Sequence, residues 1–224
     1  MSRRVASLTL DNLADLPARC RGCAFWELEP NPADPGPPDG DAVLDKEAWL
    51  SATLLDWGSC GRIVYVDGVT AGYATYAPPG YVPRSLTFPT SPVSADAVLL
   101  MTTGILPEFT GGGLGRVLVQ TVAKDLTRRG VRAIEAFGLA GTDDRRGIPL
   151  GTPPPRRGAR TDASSCVVPA DFLLAVGFKT VRPHHRLPRL RLDLRTAISW
   201  RTDMELALER LLGSMNPEPA FRPV

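Results

Sequence analysis

Four glycines fall within five residues in Thr110-Gly111-Gly112-Gly113-Leu114-Gly115-Arg116, and this stretch restricts the chain's architecture more than any other. Ahead of it runs an apolar, threonine-containing segment, Ala97 to Leu106, which suits a strand buried on both faces. Behind it, Leu114, Val117, Leu118, Thr121, Val122 and Leu126 follow a helical stripe that Gly130 closes as a C-terminal cap. Consecutive glycines at such a strand-to-helix junction let main-chain N–H groups converge on one point, and the helix dipole adds partial positive charge there. An anionic phosphate can be held at that point without any lysine.

The spacing excludes two common phosphate ligands. A nucleotide P-loop needs Gly-Lys-Ser/Thr, whereas Gly115 is followed by Arg116-Val117. The dinucleotide fingerprint fails because its third glycine would fall on Arg116 or Leu118, and the loop does not belong to a first βα unit.

Around this junction the other elements fall into order. Val5 to Leu10 reads as a first strand, and Asn12 to Leu28 contains helical material. Asp45 to Trp57 carries Trp49, Leu50, Leu54 and Trp57 at helical spacing before Gly58. Arg62 to Val66 and Val69 to Tyr76 are joined by Asp67-Gly68, a tight-hairpin signal. Val131 to Phe137 is a strand, and Pro169 to Val176 a helix stopped by Gly177-Phe178. Lys179 to Arg182 and Leu187 to Leu194 alternate like strands. Thr202-Asp203-Met204-Glu205 is a capping box opening a helix to Leu212. Pro/Gly-rich loops interrupt the chain near residues 30–41 and 138–165, and 224 residues suit a single domain across 1–224.

A formal net charge of +2, left from 26 basic and 24 acidic side chains, implies neither nucleic acid nor a membrane surface as partner. No apolar run has the length of a membrane span or signal peptide, so a cytoplasmic location is the expectation. Cys20, Cys23, Cys60 and Cys166 are read as thiols. Cys20-x-x-Cys23 has no second Cys-x-x-Cys, and the two histidines, His184 and His185, lie far along the chain, so no metal is expected. With Phe25 and Trp26 these two cysteines are expected to pack or to line a pocket. The arginines at 145, 146, 156, 157 and 160 read as a solvated loop.

Thr110-Gly111-Gly112-Gly113-Leu114-Gly115 resembles the pyrophosphate-binding motif of the GNAT superfamily of N-acetyltransferases, Gln/Arg-x-x-Gly-x-Gly/Ala, with Thr110 in place of the usual first residue. The order of elements is similar over nearly the whole chain. The resemblance implies an α/β (α+β) fold with a mixed, mostly antiparallel central sheet of about six or seven strands and helices on both faces. It implies acetyl-CoA as acetyl donor, a primary amine of a small molecule or protein as acceptor, and direct attack of the amine on the thioester. Thr110, Gly111, Gly112, Gly113, Leu114, Gly115 and Arg116 would hold the diphosphate, and the main chain of Gly104 and Ile105 would pair with the pantetheine arm. A monomer or homodimer fits.

The tyrosine with which many such enzymes protonate the leaving thiolate is replaced here by Leu173, four residues before Gly177-Phe178. Cys166 is the substitute acid considered first, with Ser164 and Ser165 beside it. For the base, Glu135 and then Asp96 are the carboxylates expected nearest the cleft. The missing tyrosine keeps a second reading open, a catalytically degenerate acyl-CoA-binding sensor or interaction module.

Overall fold

The computed structural model describes residues 2–29, 41–141 and 166–194. The loops within 30–40 and 142–165, the arginine-rich segment and the expected helix at 202–212 lie outside the described residues.

Strand β1 (Arg3–Ser7) leads through a 3-10 turn (Leu13–Asp15) and a short helix α1 (Ala18–Arg21) to helix α2 (Asp41–Asp56). Strands β2 (Gly61–Val66) and β3 (Val69–Ala77) form the hairpin, and strand β4 (Ala97–Ile105) runs to helix α3 (Leu114–Arg128). Strand β5 (Ala133–Leu139) follows, then β6 (Val168–Pro169), helix α4 (Ala170–Ala175), β7 (Lys179–Arg182) and β8 (Arg189–Asp193). The sheet order is β1-β2-β3-β4-β5-β8-β7, with β6 off this path against β5. Among the described residues only the β4–β5 and β5–β6 pairings are parallel. The mixed, mostly antiparallel sheet is as expected, and the two-residue β6 adds a strand that no sequence signal marks.

The hairpin turns as its dipeptide requires: Asp67 and Gly68 both have positive φ, 49° and 82°, the pair of left-handed residues of a type I′ turn. The helical material expected within 12–28 amounts to one 3-10 turn and the single turn of α1, because Pro17 interrupts the first and Gly22 ends the second. In α3 the buried apolar residues are Leu114, Leu118, Val119, Val122 and Leu126, with Asp125 buried beside them; Val117, expected in that stripe, faces outward. Gly138, assigned to the loop from its sequence, instead belongs to β5. A Cβ there would stand 2.7 Å from Leu190 Cδ1 and 2.9 Å from Ala170 Cβ, so glycine lets α4 seat directly on the strand.

Two layers of core cover the sheet. On one face α3 and α4 supply Leu118, Val122, Leu126 and Leu173 against Ala74, Tyr76, Val98, Leu100 and Ile134. On the other, Leu13, Leu16 and Leu50 of the N-terminal segment and α2 pack on Ile63, Tyr65 and Tyr73. Trp26, Phe88 and Phe137 stack beside them, Phe88 and Phe137 with ring centroids 4.2 Å apart. Among the described residues, no helix is long and apolar enough to cross a membrane.

Candidate active site

The glycine loop adopts the shape its composition demands. Gly111 and Gly113 have φ of 80° and 72°, values that glycine tolerates and other residues resist, and no atom lies within 4 Å of where their Cβ atoms would be. Gly113 is the N-cap of α3, and the first intrahelical donor beyond it is Val117 N, 3.2 Å from Gly113 O. Among the described residues no protein acceptor takes the amides of Gly111 through Arg116. These N–H groups, at the positive end of a 15-residue helix, form an open cradle for an anion.

Gly115 serves packing instead: a Cβ there would lie 2.8 Å from the Phe172 ring, so its absence lets α4 close behind the loop. Arg116 is directed the same way, donating from Nη2 to Ala175 O at 2.8 Å, while Thr110 Oγ1 donates to Pro107 O at 2.8 Å. The Thr110 amide also turns to Pro107 O, at 3.3 Å, so the open amides begin at Gly111, and the contribution of Arg116 to the cradle comes from its main chain.

Upstream of the cradle the sheet opens. β4 and β5 pair over Ala97–Leu99 and Ala133–Glu135 only, after which each strand continues without the other. β4 stays bound along its opposite edge to β3, with Thr102, Thr103, Gly104 and Ile105 opposite Thr75, Ala74, Tyr73 and Gly72. Its β5-facing edge at Gly104 and Ile105 is thus left without a neighbouring strand. A register shift, in which Thr75 meets Thr102 while Tyr76 meets Leu100, bulges β4 at Met101 just where the two strands separate.

Thiols and hydroxyls gather on the α1–α2 side of this gap. Cys20 Sγ and Tyr73 Oη lie 2.5 Å apart, and the Thr102 hydroxyl also bonds Tyr73. Burial pushes the Tyr73 phenol well above its ordinary range and also raises Cys20. Cys23 Sγ and Cys166 Sγ are 3.4 Å apart, and the Trp26 indole N–H donates to Cys166 O at 3.1 Å. The hydrogen bond from Cys166, which outweighs burial, lowers Cys23 to about 6. Beneath them Lys46 and Glu27 form a buried ion pair. Tyr73 and Thr102 escaped the sequence reading because both look like ordinary strand residues; only the pairing of β3 with β4 brings them together.

Glu135 is at the other end of the gap. It is fully buried where β4 and β5 are still paired, its carboxylate 2.7 Å from Arg189 Nη1, 3.2 Å from Arg191 Nη1 and 3.1 Å from Ser94 N. Asp96 makes two 2.9 Å contacts to Arg191, which hold its carboxyl below the usual range. Together these groups tie β5, β8 and the segment before β4. Leu173 is fully buried in the α3–α4 core. Ser164 and Ser165 lie outside the described residues, and among those described no cluster of His, Cys, Asp and Glu could hold a metal.

Residues 22–146, more than half of the chain, match the model of the Acetyltransferase (GNAT) family. No curated protein matches the sequence. Among solved structures, an N-acetyltransferase from Staphylococcus aureus Mu50 is 13% identical, covering 87% of this chain and 99% of its own, with a TM-score of 0.51. The yncA protein of Salmonella typhimurium, described as an acetyltransferase with its cofactor acetyl-CoA, is 16% identical over 87% and 95%, TM-score 0.51. A ribosomal-protein-alanine N-acetyltransferase from Brucella melitensis is 17% identical over 85% and 99%, TM-score 0.50. At these identities the likeness is one of fold.

Proposed function

The chain belongs to the acetyltransferase (GNAT) family, and from that footing we propose that it moves the acetyl group of acetyl-CoA to a primary amine by direct attack, the whole chain acting as one catalytic unit. The observation that carries this reading is the pairing of an open amide cradle at Gly111–Arg116 with a strand gap that begins beyond Leu99 and Glu135. The cradle is matched to a diphosphate, and the vacant edge of β4 at Gly104 and Ile105 to the amide-bearing pantetheine arm, which would align there as an added strand.

In this arrangement the thioester reaches the gap near the β4 bulge, with the acceptor amine arriving from the α1–α2 side. A neutral amine attacks the thioester carbon; main-chain N–H groups of β4 steady the oxyanion, and the C–S bond then breaks. Cys166 is the acid in this reading, because its thiol is hydrogen-bonded to Cys23 and lies two residues before β6, which pairs with β5 beside the gap. We assign Glu135 to the clamp between β5 and β8 rather than to the base, and the proton released by the amine passes to solvent.

The burial of Leu173, where many family members place a tyrosine, favours a second reading in which the chain binds acyl-CoA without turnover. Isothermal titration with acetyl-CoA, run beside a thiol-release assay over small amines, polyamines and peptides, separates the two. Binding with release of coenzyme A supports transfer. Binding without release on every acceptor supports the sensor, and no binding removes both.

A further inference from the structure

The Cys20-x-x-Cys23 spacing suggests a pairing of near neighbours, yet the sulfurs are arranged otherwise. Cys20 is engaged with Tyr73, whereas Cys23 meets Cys166, 143 residues further along the chain. Both ends of that contact are held. The Cys23 amide donates to Cys20 O, and Cys166 is fixed through its carbonyl by Trp26 and, two residues later, by the pairing of Val168 with Gly138. A disulfide is about 2.05 Å long, so the two sulfurs, 3.4 Å apart, need approach by roughly 1.3 Å, within reach of side-chain rotation. Cys166 is partly exposed, which gives a small oxidant a route to the pair.

We propose that Cys23 and Cys166 form a reversible disulfide when the protein meets a hydroperoxide, a modification site that bolts the acceptor wall to the strand lining the gap. The Cys23 thiolate attacks the peroxide, forming an S–O bond as the O–O bond breaks, and the departing hydroxide takes up a proton to leave as water. The Cys166 sulfur then attacks the sulfenic acid, expelling a second water that carries away the thiol proton. Two thiols are oxidised by two electrons and one hydrogen peroxide is reduced to two waters. The lowered Cys23 thiol supplies the nucleophile, while Cys60, fully buried and pushed up to about 12, takes no part. If Cys166 is the acid of the transfer reaction, a consequence that rests on the function proposed above, the bridge also removes its proton and silences the enzyme.

The test is peptide mapping of the full chain after hydrogen peroxide, with remaining thiols blocked by N-ethylmaleimide. Trypsin cuts after Arg19 and Arg21, which isolates Cys20 in the dipeptide Cys20-Arg21 and makes the mapping unambiguous. The expected product joins Gly22–Lys46 to Thr161–Lys179, is lighter by two hydrogens than the two peptides together, and disappears with dithiothreitol. Closing so long a loop is expected to raise the thermal midpoint by roughly 10 °C. Cys166→Ser is expected to stop at a Cys23 sulfenic acid that dimedone traps, and Cys60→Ser to leave the cross-link in place. A Cys20–Cys23 bridge, or four blocked thiols after peroxide, overturns the proposal. A bridge that forms while acetyl transfer stays unchanged upholds the modification site and removes Cys166 as the acid.

Discussion

Replacing Glu135 with Gln separates a structural carboxylate from a catalytic one. The substitution keeps the side chain's size and one acceptor oxygen but removes the charge facing Arg189 and Arg191, whose side chains are 10% and 19% exposed. Leaving buried guanidinium groups without their counter-ion costs roughly 3–5 kcal/mol, with Asp96 still partnering Arg191 and holding the loss toward the lower figure. For a chain of this size each kcal/mol moves the thermal midpoint by about 2–4 °C, so a fall of roughly 6–20 °C is expected. Differential scanning fluorimetry reads that shift. Acetyl transfer at 20 °C, where the variant remains folded, is expected to stay within about threefold of the parent. A midpoint within about 2 °C of the parent, together with a drop in kcat of about 100-fold or more, is the signature of a lost general base and would refute the clamp.

Gly113→Ala places a Cβ at φ of 72° with nothing within 4 Å, so backbone strain of about 1–2 kcal/mol lowers the midpoint by only a few degrees. Titration calorimetry is expected to show acetyl-CoA affinity falling about tenfold or more, since the methyl protrudes at the open cradle; unchanged affinity counts against the site. Cys23, lowered to about 6, is a thiolate at neutral pH, so alkylation by iodoacetamide should persist down to about pH 6 and decline below it as the sulfur is protonated. Cys60, raised to about 12, should resist the same reagent throughout that range; mass spectrometry of the labelled peptides reads both.

The sequence revealed the parts of the fold that local sterics dictate. Asp67-Gly68 and the glycines at 111 and 113 occupy positions that need positive φ, and few backbone designs satisfy that need. The unpaired edge of β4 at Gly104 and Ile105 was legible only through family resemblance, because strand propensity says nothing about where a parallel pairing ends. Alternation along β5 identifies a face of the sheet but not which end of the gap lies beneath it, so the ion pairs of Glu135 with Arg189 and Arg191 had no sequence signal. The contact between Cys23 and Cys166 spans 143 residues, so no spacing rule could find it. The helical material within 12–28 was legible, but not that Pro17 and Gly22 divide it into single turns, which gather Cys20, Cys23 and Trp26 at the sheet.

A crystal structure of the protein with coenzyme A interrogates the cradle most directly. The expected complex has diphosphate oxygens within about 3 Å of the amides from Gly111 to Arg116, with the pantetheine arm bonded to the main chain at Gly104 and Ile105. A diphosphate seated away from that loop, or a pantetheine arm outside the β4–β5 gap, would contradict the account.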